Sequence, residues 1–187
     1  MVLTLLMRGV FLVLAAGCLF GGPIREASAA TAPPPGAGMR RVLVKTVLLD
    51  SQNRRPVVIL EDKKEGKVLP IWIGMAEARS IMMQLRGITP PRPMTHDLLG
   101  NVIDGLKARV IRVIITDIKS GTFYARIVMD SGGRRFSIDS RPSDAIALAL
   151  RVRAPIFANV RVLRDGITAN SRPKPVYGER LGIVLQK

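Results

Sequence analysis

Sliding the chain along itself by 67 residues brings two long stretches into register without a gap. Val42–Asp50 falls on Arg109–Asp117, which sets Lys45 against Arg112 and Asp50 against Asp117. The run from Ile71 through Gly74 and Glu77 to Ala78 falls on the run from Ile138 through Arg141 and Asp144 to Ala145. Self-similarity at a fixed offset is the mark of a duplicated unit, and no other feature restricts the fold as much. Each half reads strand, strand, strand, helix. The first half has β-prone runs at Val42–Leu49, Pro56–Glu61 and Lys67–Ile73, then a helix over Met75–Leu85. The second has Arg109–Ile118, which reads as a nearly fully buried strand, then Thr122–Asp130. Phe136 and Ile138 alternate with polar residues as in a half-buried strand. A helix follows, with Pro142 at its first position, where a fixed φ and a missing N–H do no harm. A joining helix over Thr95–Lys107 sets Leu98, Leu99, Val102, Ile103 and Leu106 on one face. A last strand is expected over Ile156–Leu163. The fold expected is α+β: a single compact domain over residues 40–165 with a mostly antiparallel or mixed sheet, built from the duplicated unit and the extra helix.

The flanks have a different character. Arg8 precedes the apolar run Val10–Phe20, too short to span a bilayer, and Ala27-Ser28-Ala29 is a small-x-small cleavage pattern. Residues 1–30 therefore read as a secretory signal peptide, which implies an exported, periplasmic or secreted protein. Ala15-Ala16-Gly17-Cys18 offers an alternative, because it is similar to a lipoprotein processing site with Cys18 as the lipidated residue. Cys18 is the one cysteine, so cleavage after it leaves neither disulfide nor thiol nucleophile. Residues 31–39 are a Pro/Gly/Ala-rich linker. Residues 166–187 form a basic tail whose ordered candidate is Leu181–Leu185.

Net charge is +15 with an isoelectric point near 11.3, although charged residues make up only 23% of the chain. Such an excess of Lys and Arg favours polyanionic partners. Aromatic residues are 4%, too few to stack base after base, so contact with nucleic acid would run mainly through phosphates. Paired basics at turns, Arg54-Arg55 and Lys63-Lys64, read as solvated edges. Arg151 and Arg153, at a helix end, complement its dipole.

Two constellations carry chemistry. The first surrounds the helix start after Ile138, where Asp139, Ser140, Arg141, Ser143 and Asp144 crowd a site of partial positive charge and free N–H groups. At the equivalent place in the first half stand Trp72, Ile73, Gly74, Met75 and Ala76. Only Glu77 and Asp144 are shared in kind. Both fall about three residues into a helix, where a carboxylate is an ordinary cap. On that comparison Asp139, Ser140, Arg141 and Ser143 rank above Asp144 as functional candidates. The second constellation is Arg92-Pro93-Met94-Thr95-His96-Asp97, with Thr95 as a good N-cap. His96 is the one histidine and so the obvious base titrating near neutrality, unless it is an exposed spectator. Together these are parts for phosphodiester cleavage. His96 or Asp97 would serve as base and Arg92 and Arg141 as phosphate clamps. Asp139, Asp144 and Glu77 would be carboxylate ligands for Mg²⁺ or Mn²⁺. Zinc spacing, a P-loop, a dinucleotide fingerprint and a nucleophile elbow are all lacking.

Four stretches in this order resemble the bifunctional nuclease family: Leu69–Gly74 with Glu77-Ala78, Arg92–Leu99, Thr122–Ala125 and Asp139–Ala149. The resemblance covers roughly Val42–Leu163. It implies a compact α+β domain acting on DNA and RNA. The motif positions are Glu77, Arg92, Thr95, His96, Asp97, Asp139, Ser140, Arg141, Ser143 and Asp144, with no roles attached to them. The function expected is an exported nuclease of low sequence preference whose partner is nucleic acid, with homo-oligomers conceivable and no integral membrane domain. The alternatives are a non-catalytic polyanion binder and an envelope assembly domain.

Overall fold

The computed structural model describes residues 36, 38–51 and 53–169. The signal peptide, Cys18, most of the linker and Leu181–Leu185 lie outside the described residues. Seven strands and four helices follow in the order β1 (Met39–Leu49), β2 (Pro56–Asp62), β3 (Lys67–Trp72), α1 (Met75–Leu85), α2 (Thr95–Gly105), β4 (Ala108–Lys119), β5 (Thr122–Ser131), β6 (Arg134–Ser140), α3 (Pro142–Arg151), β7 (Ile156–Asn159) and α4 (Val160–Ala169). The strand-strand-strand-helix order occurs twice. β3 starts at Lys67 and β6 at Arg134, and α1 starts at Met75 and α3 at Pro142, each pair 67 residues apart.

β1, β2 and β3 form one antiparallel meander, and β4, β5 and β6 form another. The short β7 lies between them, antiparallel to β1 and parallel to β4. One mixed sheet results, in the order β3-β2-β1-β7-β4-β5-β6. α1 packs on β1 and β2, α3 on β4 and β5, and the two helices touch each other. α2 packs on α3 and β4, and α4 on β3, β4 and β7. Leu60, Leu69, Ile81, Val113, Ile115, Ile146 and Leu148 are fully buried and join both halves in one core. Burying a side chain of this size contributes about 1.5–3 kcal/mol, so the core unites the halves strongly. Among the described residues no helix is long and apolar enough to cross a membrane.

Four expectations need correction. The segment Ile156–Leu163 is not one strand, because β7 ends at Asn159 and α4 begins at Val160. The Asn159 side-chain oxygen accepts the Arg161 N–H at 2.9 Å, a local bond that competes with extending the strand and starts the helix. Val162 and Leu163 are then buried on one helical face. β6 forms, but Phe136 and Ile138 are exposed, because β6 is the sheet edge and not a covered strand. β4 is less buried than its apolar run suggests, with only Val113 and Ile115 closed off. The expected apolar face of α2 reaches the core through Ile103, whereas Leu98, Leu99, Val102 and Leu106 face solvent.

Candidate functional site

The first three helices each carry an acid at the third helical position: Glu77 in α1, Asp97 in α2 and Asp144 in α3. Local physics favours this, since a carboxylate there meets free N–H groups and the positive end of the dipole. Only Asp97 makes the ordinary capping bond. Its Oδ2 accepts the Met94 N–H at 2.9 Å, so Met94 is the N-cap and Thr95 the first helical residue.

Glu77 and Asp144 are held by one cation. Arg141 donates through Nε to Asp144 Oδ2 at 2.6 Å, and through Nη2 to Asp144 Oδ1 at 3.1 Å and Glu77 Oε1 at 2.8 Å. The bond to Glu77 joins residues 64 apart in the chain and fastens α1 to α3. The hydrogen bonds to Asp144, then its charge, and then the hydrogen bond to Glu77 hold the Arg141 guanidinium above its ordinary value. Its Nη1 donates to nothing among the described residues, and its side chain is two-thirds exposed. Gly74, the N-cap of α1, makes room for this arrangement, because a Cβ there would collide with the Glu77 carboxylate.

His96 lies behind the clamp and is buried. Its Nε2 is 3.2 Å from Asp144 Oδ1, and its Nδ1 is 3.0 Å from Ser80 Oγ on α1. A polar line therefore runs from the core to the surface: Ser80, His96, Asp144, Arg141. A second branch stands beside it. Arg151 of α3 donates through Nε to Asp97 Oδ1 at 2.5 Å, through Nη1 to the Ala147 carbonyl at 2.9 Å and through Nη2 to the Ser80 carbonyl at 3.4 Å. Ser, His and Asp also make up nucleophilic triads, but Ser80 is 1% exposed. No substrate atom can reach its oxygen, so the line positions residues and does not attack.

In front of the clamp is a cleft of about 530 Å³. One wall is Trp72, Ile73 and Gly74, and the other is Arg141, Pro142 and Ser143. Gly74 and Arg141 are the N-caps of α1 and α3, so the two helix starts related by the 67-residue offset border one space. The apolar turn and the polar turn, which the sequence comparison set against each other, are two walls of a single site. Asn53 and Arg55 from the β1–β2 turn, Ile71 of β3, and Gly121, Thr122 and Phe123 from the β4–β5 hairpin complete the lining. Ser120 and Gly121 both have positive φ, 47° and 76°, as a two-residue hairpin of matching twist requires. The Trp72 indole is pinned by its Nε1–H bond to Asp50 Oδ2 at 2.9 Å. Arg55 is exposed, and its guanidinium has no partner among the described residues.

The fold thus gathers Glu77, His96, Asp97, Arg141 and Asp144. Ser143 is buried at the cleft, and its hydroxyl has no partner among the described residues. Ser140 Oγ donates to the Arg141 carbonyl at 3.0 Å. Two expected residues stand apart. Asp139 is on β6 opposite Arg126 and makes no side-chain bond among the described residues. Arg92 is exposed in the segment before α2 and is likewise without a partner among the described residues. Asp139, Asp144 and Glu77 are the expected ligands for Mg²⁺ or Mn²⁺. Arg141 occupies the space between Glu77 and Asp144, and no three His, Cys, Asp or Glu among the described residues are grouped to hold a metal ion.

Sequence reasoning passed over Ser80, read Arg55 as a solvated edge, left Trp72 and Phe123 without a role in the site, and assigned Arg151 only to the helix dipole. A basic pair at a turn gives no signal that one member borders a cleft. Arg151, at helical spacing after Ala147, had one available sign: a basic residue amid Ala145–Leu150, a face that proves otherwise buried.

Residues 58–170 match the family model described as the bifunctional nuclease domain. An uncharacterised protein of Mycobacterium tuberculosis is 39% identical over 125 residues, covering 67% of this chain and 74% of that one. The protein named "Bifunctional nuclease 1" of Oryza sativa subsp. japonica is 27% identical over 131 residues, covering 68% of this chain and 40% of its own length. The Arabidopsis thaliana protein of the same name is 25% identical over 130 residues, with 63% and 40% covered.

Proposed function

Because this chain belongs to the bifunctional nuclease domain family, we propose that it hydrolyses phosphodiester bonds of nucleic acid in the cleft between the α1 and α3 helix starts. The observation that carries this reading is the pair of cations there. Arg141 is aimed by two carboxylates yet keeps Nη1 free, and Arg55 is unpaired among the described residues. Two guanidiniums and two helix N-termini make a site for a phosphate group and for the charge that builds on it during attack. Ser143 adds a hydroxyl donor at the same wall. Glu77, beside the clamp, orients the attacking water.

His96 is a positioning residue in this reading, since both of its ring nitrogens are engaged. It holds Asp144, which holds Arg141. The contacts address phosphate and not base edges, so DNA and RNA are both substrates and sequence preference is low. The charge of +15 supports attraction to either polymer. The pattern from Arg8 to Ala29 supports export to the envelope or the medium.

The test is to incubate the purified protein with DNA and RNA, in Mg²⁺ and in chelator, beside Arg141→Ala and Arg55→Ala. The expected result is product formation that drops on the order of a hundredfold in Arg141→Ala, the size of losing one transition-state donor. Arg55→Ala should flatten the salt dependence of binding by about one phosphate. One observation favours a non-catalytic binder: each of Glu77, His96, Asp97 and Asp144 is already hydrogen-bonded. Salt-sensitive binding without product would establish that reading and end the nuclease one.

A further inference from the structure

β6 ends the sheet, with β5 as its one neighbour in the sheet order. Six of its seven residues are exposed and the seventh is half-buried, so no other element covers this edge among the described residues. A free edge is a template for another strand, and proteins ordinarily blunt it with charge, proline or a bulge. Here the blunting is incomplete. Phe136 and Ile138 lie on the same side of the strand, 38% and 47% exposed, next to the buried Met129 and Ile127 of β5.

We infer that β6 is a dimerisation strand, pairing antiparallel with β6 of a second copy about a two-fold axis at Ser137. The strand is self-complementary in the register that uses its whole length. Centred on Ser137, residue 134 faces 140, 135 faces 139 and 136 faces 138. Each Arg135 then meets an Asp139, and each Phe136 meets an Ile138. Opposite charges and aromatic–branched pairs at directly facing positions are the combinations that stabilise a strand pair. Moving the axis by one residue either way separates Arg135 from Asp139 and Phe136 from Ile138.

The inference also gives a partner to Asp139, a carboxylate that makes no side-chain bond among the described residues. Arg135 has only a 3.9 Å contact to Asp130, too long to compete well. The occupant is a second copy and not an arbitrary strand, because the edge carries both signs of charge in palindromic order. The pairing is isologous, so two copies satisfy it and no open chain grows from it. It continues the sheet across both subunits. It also sets Arg134 of the partner subunit opposite Ser140, one residue from the cleft cation Arg141. The inference does not rest on the nuclease reading.

The test is the mass of the full chain by sedimentation equilibrium over a range of concentrations, with cysteine cross-linking in a Cys18→Ser background. A dimer is expected. Ser137→Cys should cross-link to itself under mild oxidation, and Ser140→Cys should not, because only a residue on the axis meets its own copy. Arg135→Glu and Asp139→Arg should each weaken the dimer by about tenfold, and the two together should restore it. Melting curves separate weakened pairing from failed folding. A variant that no longer melts cooperatively is set aside, and the cross-linking pair decides. A monomer at all concentrations, Ser140→Cys cross-linking as well as Ser137→Cys, or a double reversal no better than the singles would overturn the inference.

Discussion

Replacing His96 by alanine tests whether the buried polar line is a structural necessity of the site. Three losses follow from the geometry. Ser80 Oγ sits on a residue 1% exposed and loses its 3.0 Å partner, at a cost of about 1–3 kcal/mol for an unsatisfied buried hydroxyl. Asp144 loses its 3.2 Å contact but keeps both bonds from Arg141, and its side chain is 29% exposed. Solvent can replace much of that loss, which leaves about 0.5–1 kcal/mol. The vacated imidazole leaves a void among three helices, worth a further ~1–2 kcal/mol. The sum is about 2.5–6 kcal/mol, or a fall in melting temperature on the order of 10 °C for a chain of this size. Urea denaturation followed by circular dichroism measures it. The decisive variant is Ser80→Ala combined with His96→Ala. It removes the stranded hydroxyl and should recover about 1–2 kcal/mol of the loss. If His96→Ala melts within about 1 kcal/mol of the parent, or if Ser80→Ala adds a further independent loss, the line does not hold the helices together.

Two further outcomes test the rest of the site. Arg151→Ala leaves the part-buried Asp97 carboxylate with the Met94 N–H alone, and removes the extra donors to the Ala147 and Ser80 carbonyls. It should destabilise by about 2–4 kcal/mol, with Arg151→Lys recovering less than half of that in the same denaturation assay, because an ammonium lacks the guanidinium fork. Gly74→Ala should push the Glu77 carboxylate off its place beside Arg141. Phosphate-dependent binding and turnover, measured on oligonucleotides, should fall severalfold while stability changes by only about 1 kcal/mol.

Much of the fold was legible because its signals are local. Met75–Leu85 was legible to the residue, and Pro142 announced the start of α3. The strands of both meanders lay within three residues of their expected ends. Where local signals misled, a longer-range fact had intervened. Val160-Arg161-Val162 is β-prone, yet the Asn159 side chain turns the backbone into a helix. Phe136 and Ile138 alternate like a half-buried strand, yet among the described residues nothing follows β6 in the sheet. The ranking of Asp139 above Asp144 rested on comparing one helix start with the other. In space those starts face each other, and Asp144 is the residue through which His96 and Arg141 meet.

The sequence by itself determined which residues stand at helix starts and that the strand-strand-strand-helix order recurs. Those properties depend on backbone groups that must be satisfied within a turn or two. It also determined the large positive charge. Only the tertiary structure decided what the helix starts do together. The bond of His96 to Asp144 spans 48 residues and that of Arg141 to Glu77 spans 64. The first requires α2 and α3 to converge and the second α1 and α3, and the cleft that both Arg55 and Arg141 line likewise needs the α1 and α3 starts together. That convergence depends on β7 entering the middle of the sheet, between β1 and β4. A four-residue strand carries too little local pattern to announce its neighbours. Its place is fixed by the burial of both halves against a common core, a property of the whole chain and not of any stretch within it.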